Sequence, residues 1–261
     1  MRLATWPAAP ARVLADALVR AGLVSETTLA HPFEAAGALA GGLVDLALVP
    51  ALDVLRAPER FAAVPGAGLV GEADPLFMLL VRGPLDAVRT VAFDPRYGQH
   101  ALVAQLVFRE HYDAHPAFAL APPGAAPEAL LARHEAALVP RGTPVPPGAV
   151  ALDLGLEWTE LTLRPMVWGL LAARPGTLPP PRAAALAGAL RRVPPEALAP
   201  EGAARAFQLT LDGYAMDGLD ELATHLFYAG TLSDIPAVPF ASPETPVPGE
   251  DAPGEDAPGE D

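Results

Sequence analysis

The residues best suited to binding chemistry lie at the predicted start of a helix. Arg96 and His100 flank Gln99, where a helical pattern begins directly after a short apolar strand. A helix N-terminus presents backbone N–H groups and partial positive charge, so it favours an anion. Arg141 follows a neighbouring predicted strand, and its guanidinium matches a carboxylate bidentately. The pattern predicts a binding site for an anionic group.

Histidine supplies the group best able to accept a proton near neutral pH, and His100 is the best placed of the six. His111 and His115 have the spacing of a helical metal pair. Tyr112 stands where a zinc motif needs Glu, Pro116 follows at once, and no third ligand is evident. We interpret this pair as a solvated helix end and expect no metal site.

The composition excludes several classes of protein. With 261 residues and 51% in the hydrophobic set, the chain can bury the core of one large domain or two lobes. It has no cysteine, which excludes disulfides, thiolate zinc sites and iron–sulfur clusters. No apolar run approaches the ~20 residues that span a bilayer. The start of the sequence lacks the pattern of a signal peptide, so we expect a cytoplasmic protein.

The formal charge of −14 argues against anionic partners. Seven acidic residues lie beyond Ala241, which leaves about −7 for the rest of the chain. A surface of that sign is a poor partner for nucleic acid or an anionic membrane, so we expect neither. Residues 241–261 form an imperfect acidic repeat rich in proline and glycine. This composition predicts a disordered tail without a dedicated partner.

The elements that must position the site alternate between strand and helix. In the stretch Gly41–Ala51, a glycine pair ends a helix and a buried strand then runs to Pro50. Ligands of open α/β sheets bind outside the carboxyl ends of such strands. The same alternation recurs toward the C-terminus, with helices predicted over 182–192, 200–211 and 216–228. The pattern predicts an α/β fold with mostly parallel, helix-covered sheets.

Ordered motifs over most of residues 1–240 carry a family resemblance. They lie at 32–50, 64–66, 91–95, 135–138, 153–167 and 234–236. The two most specific are Asp45–Pro50, which reads D-L-A-L-V-P, and Asp153–Trp158, which reads D-L-G-L-E-W. Together they resemble the chorismate dehydratases of menaquinone biosynthesis by the futalosine pathway.

The resemblance implies a two-lobed type II periplasmic-binding-protein-like fold with a mixed, mostly parallel sheet in each lobe. The first lobe would comprise residues 1–82 and 172–240, and the second residues 84–163. Residues 164–171 would form the return hinge. The implied reaction removes water from chorismate, a dicarboxylate, to give 3-[(1-carboxyvinyl)oxy]benzoate, without a metal or an organic cofactor. The oligomeric state stays open.

The resemblance also assigns the site, although several polar residues of the family pattern are replaced. Asparagine becomes Pro7, serines become Ala51 and Phe77, and a Thr-Ser pair becomes Gln99 and His100. His100 would be the catalytic base that removes the ring proton. The substrate-binding candidates are Thr5, Trp6, Ala51, Asp74, Phe77, Arg96, Gln99 and Arg141.

Two alternatives stay open at this point. The replaced polar lining also fits a non-catalytic binding protein for a small carboxylated aromatic ligand on the same scaffold. The related naphthoate synthase of the same pathway shares the fold. The Asp45 segment and the Glu157-Trp158 segment fit the dehydratase better.

Overall fold

The computed structural model describes residues 1–198 and 207–241. Its strands and helices are, in chain order, β1 (Arg2–Thr5), α1 (Ala9–Arg20), β2 (Glu26–Leu29), α2 (Pro32–Ala40), β3 (Leu46–Pro50), α3 (Ala51–Arg56), β4 (Ala62–Gly71), β5 (Phe77–Val81), β6 (Thr90–Phe93), α4 (Gly98–Tyr112), β7 (Ala117–Leu120), α5 (Pro127–Leu131), β8 (Ala136–Pro140), β9 (Val150–Leu152), α6 (Leu154–Thr162), β10 (Met166–Ala173), α7 (Pro180–Leu190), β11 (Phe207–Gln208) and α8 (Gly213–Tyr228). None of the helices in the described ranges has the length and hydropathy to cross a bilayer.

The first lobe is built on a sheet whose described strands follow the order β11-β4-β10-β3-β1-β2. β1 pairs in parallel with β2 and β3, whereas β10 runs antiparallel to β3 and β4. Every residue of β3 is buried, as expected for an apolar run covered on both faces. The strand ends at Pro50, and α3 begins at once, so the edge of the sheet presents α3 toward the second lobe.

The second lobe has its own sheet, with the described strands in the order β7-β6-β8-β5-β9. β6 pairs in parallel with β7 and β8, and β5 runs antiparallel to β8 and β9. Both sheets are therefore mixed, and the two-lobed α/β fold is confirmed. The sheets contain more antiparallel pairs than the sequence suggested. The reason is that β5 and β10, the first strands after each crossing between the lobes, both run antiparallel to their neighbours.

The lobe boundaries differ from the sequence prediction at both crossings. Phe77–Val81, placed in the first lobe, is β5 of the second sheet, so the chain crosses at residues 72–76. Residues 164–171, expected as a hinge, lie mostly in β10, a fully buried strand of the first sheet. An apolar strand reveals that it is buried but not which sheet it joins, and this accounts for both corrections.

Residues 200–206 of the helix predicted over 200–211 lie outside the described ranges. For Phe207 and Gln208 the prediction is wrong, because they form β11 and pair with Gly71 and Val70 of β4. Tertiary pairing here overrides local helical preference. The acidic tail beyond Ala241 also lies outside the described residues. At its start, the Ala241 N–H donates to the Ala63 carbonyl at 2.8 Å.

A close approach between α8 and the return crossing fixes the packing of the first lobe. Gly218 lies on the buried face of α8, and a Cβ there would overlap the carbonyl oxygen of Pro165. Pro165 directly precedes β10, so the approach holds α8 against the strand that re-enters the lobe. We infer that glycine is required at this helical position by space and not by backbone conformation.

We expect Gly218→Ala to lower the free energy of unfolding by about 1–3 kcal/mol, the usual penalty for overpacking. Gly37→Ala is the matched control, since Gly37 also lies in a helix but has open space around its Cα. That control should raise stability by about 0.5–1 kcal/mol through helix propensity. Urea unfolding measures both. Equal effects at the two positions would contradict the packing argument.

Candidate functional site

A cavity of about 250 Å³ lies between the two lobes. The end of β3 and the short helix α3 form one wall, and a 3₁₀ turn with the start of α4 forms the other. The lining residues are Pro32, Phe33, Pro50, Leu52, Asp53, Arg56, Pro95, Arg96, Tyr97, Gly98, Gln99 and His100. The sequence placed a ligand both at the end of β3 and at the start of α4, and the structure brings these two places together.

The start of α4 is set by Asp94. Its carboxylate accepts from the Arg96 backbone N–H at 3.0 Å, which caps the 3₁₀ turn Pro95–Tyr97. The α-helix follows directly at Gly98 and runs for 15 residues. Its first residues line the cavity, so the positive end of the helix dipole faces the space between the lobes.

Gln99 joins the lobes with its side-chain amide. Its Oε1 accepts from the Leu52 N–H at 2.9 Å, and its Nε2 donates to the Trp168 carbonyl at 2.8 Å. Leu52 belongs to α3 and Trp168 to β10, so both partners are first-lobe backbone groups. Gln99 is 5% exposed, and both bonds are buried. The amide therefore holds the cleft closed at its inner edge.

His100 is enclosed by aromatic rings. Its imidazole stacks on Trp168, with centroids 5.1 Å apart and an interplanar angle of 14°, and Phe77 lies 5.0 Å away. The residue is 1% exposed. Neither ring nitrogen has a hydrogen-bond partner among the described residues. A buried imidazole with two unpartnered nitrogens, lining a cavity, is placed to bind or to accept a proton from a ligand.

Asp74 lies beside His100 at the crossing between the lobes. Its Oδ1 accepts from the Leu76 and Phe77 N–H groups, each at 2.8 Å, and lies 3.4 Å from His100 Nε2. The carboxylate is fully buried, and its Oδ2 has no hydrogen-bond partner within the described residues. The backbone is also held, since the Asp74 N–H donates to Asp153 Oδ1 at 2.8 Å. The carboxylate is thus fixed next to the imidazole.

The two arginines predicted to clamp a carboxylate are both paired with acidic side chains. Arg96 contacts Asp94 at 2.6 Å, and Arg141 forms an ion pair with Asp153. Arg141 also donates from Nε to the Asp74 carbonyl at 2.7 Å. Burial acts to raise the pKa of Asp94, but hydrogen bonds from Arg96 outweigh it and hold that pKa below its ordinary value.

The remaining predicted binding residues take different positions. Thr5 is buried and its hydroxyl donates to the Ala11 carbonyl at 3.2 Å, toward α1. Ala51 is buried at the start of α3. Phe77 packs between His100 and Tyr97, whose ring centroid is 4.2 Å away. Of the candidates, the structure therefore gathers Asp74, Phe77, Gln99 and His100 around one point.

Trp6 packs against β10 inside the first lobe and is not among the residues that line the cavity. It is fully buried, and its ring approaches so closely that a Cβ at Gly169 would lie 2.7 Å from Cη2. Gly169 follows Trp168 on β10, so glycine is needed there to admit the indole. The Nε1 atom of Trp6 has no partner among the described residues.

Three polar lining residues were not anticipated from the sequence. Tyr97 contributes its hydroxyl to a short hydrogen bond with His31 Nδ1 across the lobes, and burial raises the pKa of Tyr97 to about 12. Asp53 and Arg56 project from α3 into the same cavity. Their i, i+3 spacing directly after β3 was the available signal, because residues so spaced share a helix face.

Asp53 is the less exposed member of the α3 pair. Burial raises the pKa of its carboxyl above the ordinary value, although the charges of Arg56 and Arg60 act to lower it. The described residues give its carboxylate no hydrogen bond. Asp53 and His100 therefore place two titratable groups on opposite walls of one cavity.

Outside the cleft, one cluster within residues 1–198 and 207–241 has the donor atoms of a metal site. Atoms of His111, Glu157 and Glu160 lie within 4.8 Å of one another, between α4 and α6. His111 and Glu160 are exposed, and Glu157 already accepts a short hydrogen bond from Tyr112. The sequence paired His111 with His115 instead, and the structure does not bring His115 into this cluster.

A model of the family described as menaquinone biosynthesis matches residues 1–206 of the 261. The chain belongs to this menaquinone-biosynthesis family. The match confirms the resemblance drawn from the ordered motifs, and it includes β1 to β10 with both crossings between the lobes. No curated protein matches the chain at a significant level.

Solved structures show the same fold at low identity. Protein AF1704 from Archaeoglobus fulgidus aligns with a TM-score of 0.60 at 15% identity, covering 88% of this chain and 98% of that one. The periplasmic aliphatic sulphonate binding protein SsuA from Escherichia coli gives 0.54 at 15%, covering 100% and 97%. The alkanesulfonate-binding protein SsuA from Xanthomonas axonopodis pv. citri, bound to MOPS, gives 0.52 at 18%, covering 92% and 96%. These neighbours support the two-lobed fold.

Four positions at which the resemblance implies a replaced polar residue lie at or next to the cleft. Gln99 and His100 stand at the start of α4, Phe77 begins β5, and Ala51 begins α3. Each position either lines the cavity or packs against a residue that does. The cleft of this menaquinone-biosynthesis protein is therefore bordered by aromatic rings and an imidazole.

We expect Gln99→Leu to lower the free energy of unfolding by about 1–3 kcal/mol, because it leaves the Leu52 N–H and the Trp168 carbonyl buried and unpaired. Urea unfolding followed by circular dichroism gives the value. Gln105→Leu, at an exposed position of the same helix, is the control and should change stability by less than about 0.5 kcal/mol. Equal losses of unfolding free energy in Gln99→Leu and Gln105→Leu would show that Gln99 does not link the two lobes.

The lowered pKa of Asp94 predicts pH-dependent stability. A carboxyl whose folded pKa is depressed stabilises the fold above its unfolded value of about 3.9, and this contribution disappears as pH falls through the folded pKa. Asp94→Asn keeps the cap but removes the charge, so it should cost at most about 1 kcal/mol at pH 7 for a partly exposed pair. The difference in unfolding free energy between wild type and Asp94→Asn should become smaller below pH 4, as measured by urea titration. A deficit independent of pH would show that the charge contributes nothing.

Proposed function

We propose that this protein is a chorismate dehydratase-like lyase of menaquinone biosynthesis, which converts chorismate to 3-[(1-carboxyvinyl)oxy]benzoate. The observation that carries the proposal is the buried His100–Asp74 pair, of which His100 lines the interlobe cavity. Both residues carry polar atoms that have no hydrogen-bond partner among the described residues. Membership of the menaquinone-biosynthesis family supplies the pathway. The futalosine route is part of the same proposal.

The reaction needs one base and one departing hydroxyl. Chorismate carries a hydroxyl group on a cyclohexadiene ring. Breaking a ring C–H bond and the C–O bond of that hydroxyl leaves an aromatic ring and releases water. The electron pair of the C–H bond enters the ring as the hydroxyl departs, so no oxidant or reductant is required. Formation of the aromatic ring supplies the driving force.

His100 is assigned as the base. Asp74 lies on the Nε2 side of the imidazole, so Nδ1 is the nitrogen left to take the ring proton. A carboxylate beside the ring stabilises the imidazolium once the proton has arrived. Asp74 is a positioning residue, and it is itself held by two backbone N–H groups. Trp168 and Phe77 hold the ring in place and exclude water.

The substrate-binding assignments remain part of this proposal. Gln99 and the start of α4 would border the substrate on the second lobe, while Trp6 and Ala51 would border it on the first. Thr5, whose hydroxyl is used by α1, would support the strand that carries Trp6. Arg141 would act through Asp74, whose carbonyl it binds. Arg96 would fix the turn that starts α4.

A second candidate is a non-catalytic binding protein for a small carboxylated aromatic ligand. The observation that favours it is the mainly apolar and aromatic surface around His100, where polar residues of the family pattern are replaced. The two SsuA structures, an aliphatic sulphonate binding protein and an alkanesulfonate-binding protein, share this fold. Turnover separates the candidates.

The deciding experiment incubates purified protein with chorismate and follows the product by mass spectrometry. We expect His100→Asn to lower kcat by about 10²- to 10⁴-fold, the usual contribution of a general base. Asp74→Asn should lower kcat as well and should alter the pH profile of kcat, because the imidazolium loses its stabilising charge.

His115→Asn is the matched control, since His115 is exposed and lies beyond the far end of α4. It should retain wild-type activity. Circular dichroism establishes that each variant is folded. If chorismate binds without turnover, the binding-protein candidate replaces the lyase; if His100→Asn keeps full activity, His100 is not the base.

A further inference from the structure

We propose that Arg56 on α3 is the residue that receives a carboxylate of the ligand in the interlobe cavity. This rests on the proposed function, because it names the specificity-determining group of that site. The carboxylate would lie between the Arg56 guanidinium of the first lobe and the N-terminus of α4 in the second.

The position of Arg56 follows from the short helix that carries it. β3 ends at Pro50, and α3 runs from Ala51 to Arg56, so the helix begins directly at the carboxyl edge of the sheet. The buried residues Leu52 and Leu55 fix the helix to the core. Asp53 and Arg56, one turn apart, line the cavity. Arg56 is thus a first-lobe cation that faces the second lobe.

Arg56 differs from the two arginines that the sequence favoured, because each of those forms an ion pair with an acidic side chain. Arg96 is paired with Asp94, and Arg141 is paired with Asp153 and bonded to the Asp74 carbonyl. In the described part of the chain, Arg56 makes neither a hydrogen bond nor a close ion pair, although its charge acts on Asp53. An unpaired guanidinium keeps its full set of donors for a bidentate contact with a carboxylate.

The opposite wall supplies an independent indication of a ligand. The first residues of α4 line the cavity with their helix N-terminus, and among them His100 is 1% exposed with both ring nitrogens unpartnered within the described residues. A buried polar side chain of this kind normally has a partner. A carboxylated ring that reaches from Arg56 to His100 would supply it, and it would bind both lobes at once.

Asp53 is expected to weaken the binding of an anion near Arg56, and this expectation gives the test a second variant. Its carboxylate lies on the same helix face as Arg56 and lines the same cavity, so it repels an anion there. Arg60 acts electrostatically on Asp53 as well but is not part of the cavity lining. The three neighbouring charges therefore have three distinct expected effects on an anionic ligand.

The test measures binding by isothermal titration calorimetry with isophthalate, an aromatic dicarboxylate, and with the neutral isophthalamide as the control ligand. Arg56→Gln should weaken isophthalate binding by roughly tenfold, the scale of one partly exposed charge-assisted contact. Asp53→Asn should strengthen it by about two- to fivefold. Arg60→Gln, the matched control, should change it by less than about twofold.

With chorismate as substrate, Arg56→Gln should raise KM and leave kcat within about threefold, since the contact exists before and during the reaction. The proposal is overturned if Arg56→Gln and Arg60→Gln weaken isophthalate equally, if Arg56→Gln has no effect, or if the wild-type protein binds neither isophthalate nor chorismate. Binding that depends on Arg56 without any turnover would sustain this inference while refuting the lyase.

Discussion

The structure depends on how one buried carboxylate is accommodated where the chain first passes between its lobes. Removing a charge from water is costly unless hydrogen bonds compensate, and Asp74 accepts two from the backbone that leads into β5. Asp153 and Arg141 hold the Asp74 backbone from the second lobe, and Trp168 donates to the Ala73 carbonyl from the first. The Asp74 carboxylate therefore links the crossing between the lobes to the start of β5 and to the His100 imidazole beside it.

The same network explains how charge is divided around the cleft. The arginines that sequence reasoning favoured as ligand contacts stabilise the protein's own carboxylates, and in doing so they shape the turn before α4 and the crossing. In our proposals, ligand recognition is left to His100 and Arg56, which line the cavity and have no hydrogen-bond partner in the described part of the chain. An acidic protein can still attract an anion in this way, because a local cation and a helix terminus outweigh a distant net charge.

Much of the scaffold could be predicted because its signals are local. The apolar run of β3 ends at Pro50, and α4 starts after Asp94 and Pro95, as their side chains dictate. What escaped prediction is not local. The residues Phe77–Val81 do not indicate which sheet the strand joins. The sequence around Arg141 likewise does not indicate that its guanidinium forms an ion pair with Asp153. α3 was passed over as a functional element because its six residues are too few to display a periodic face.

The two hydrogen bonds of the Gln99 side-chain amide join α4 to two separate elements of the first lobe. Its two partners lie on α3 and β10 of the first lobe, so separating the lobes at this point requires that both hydrogen bonds break. Opening at this point leaves the Leu52 N–H and the Trp168 carbonyl without their amide partner, so water that enters the cleft has to replace both hydrogen bonds.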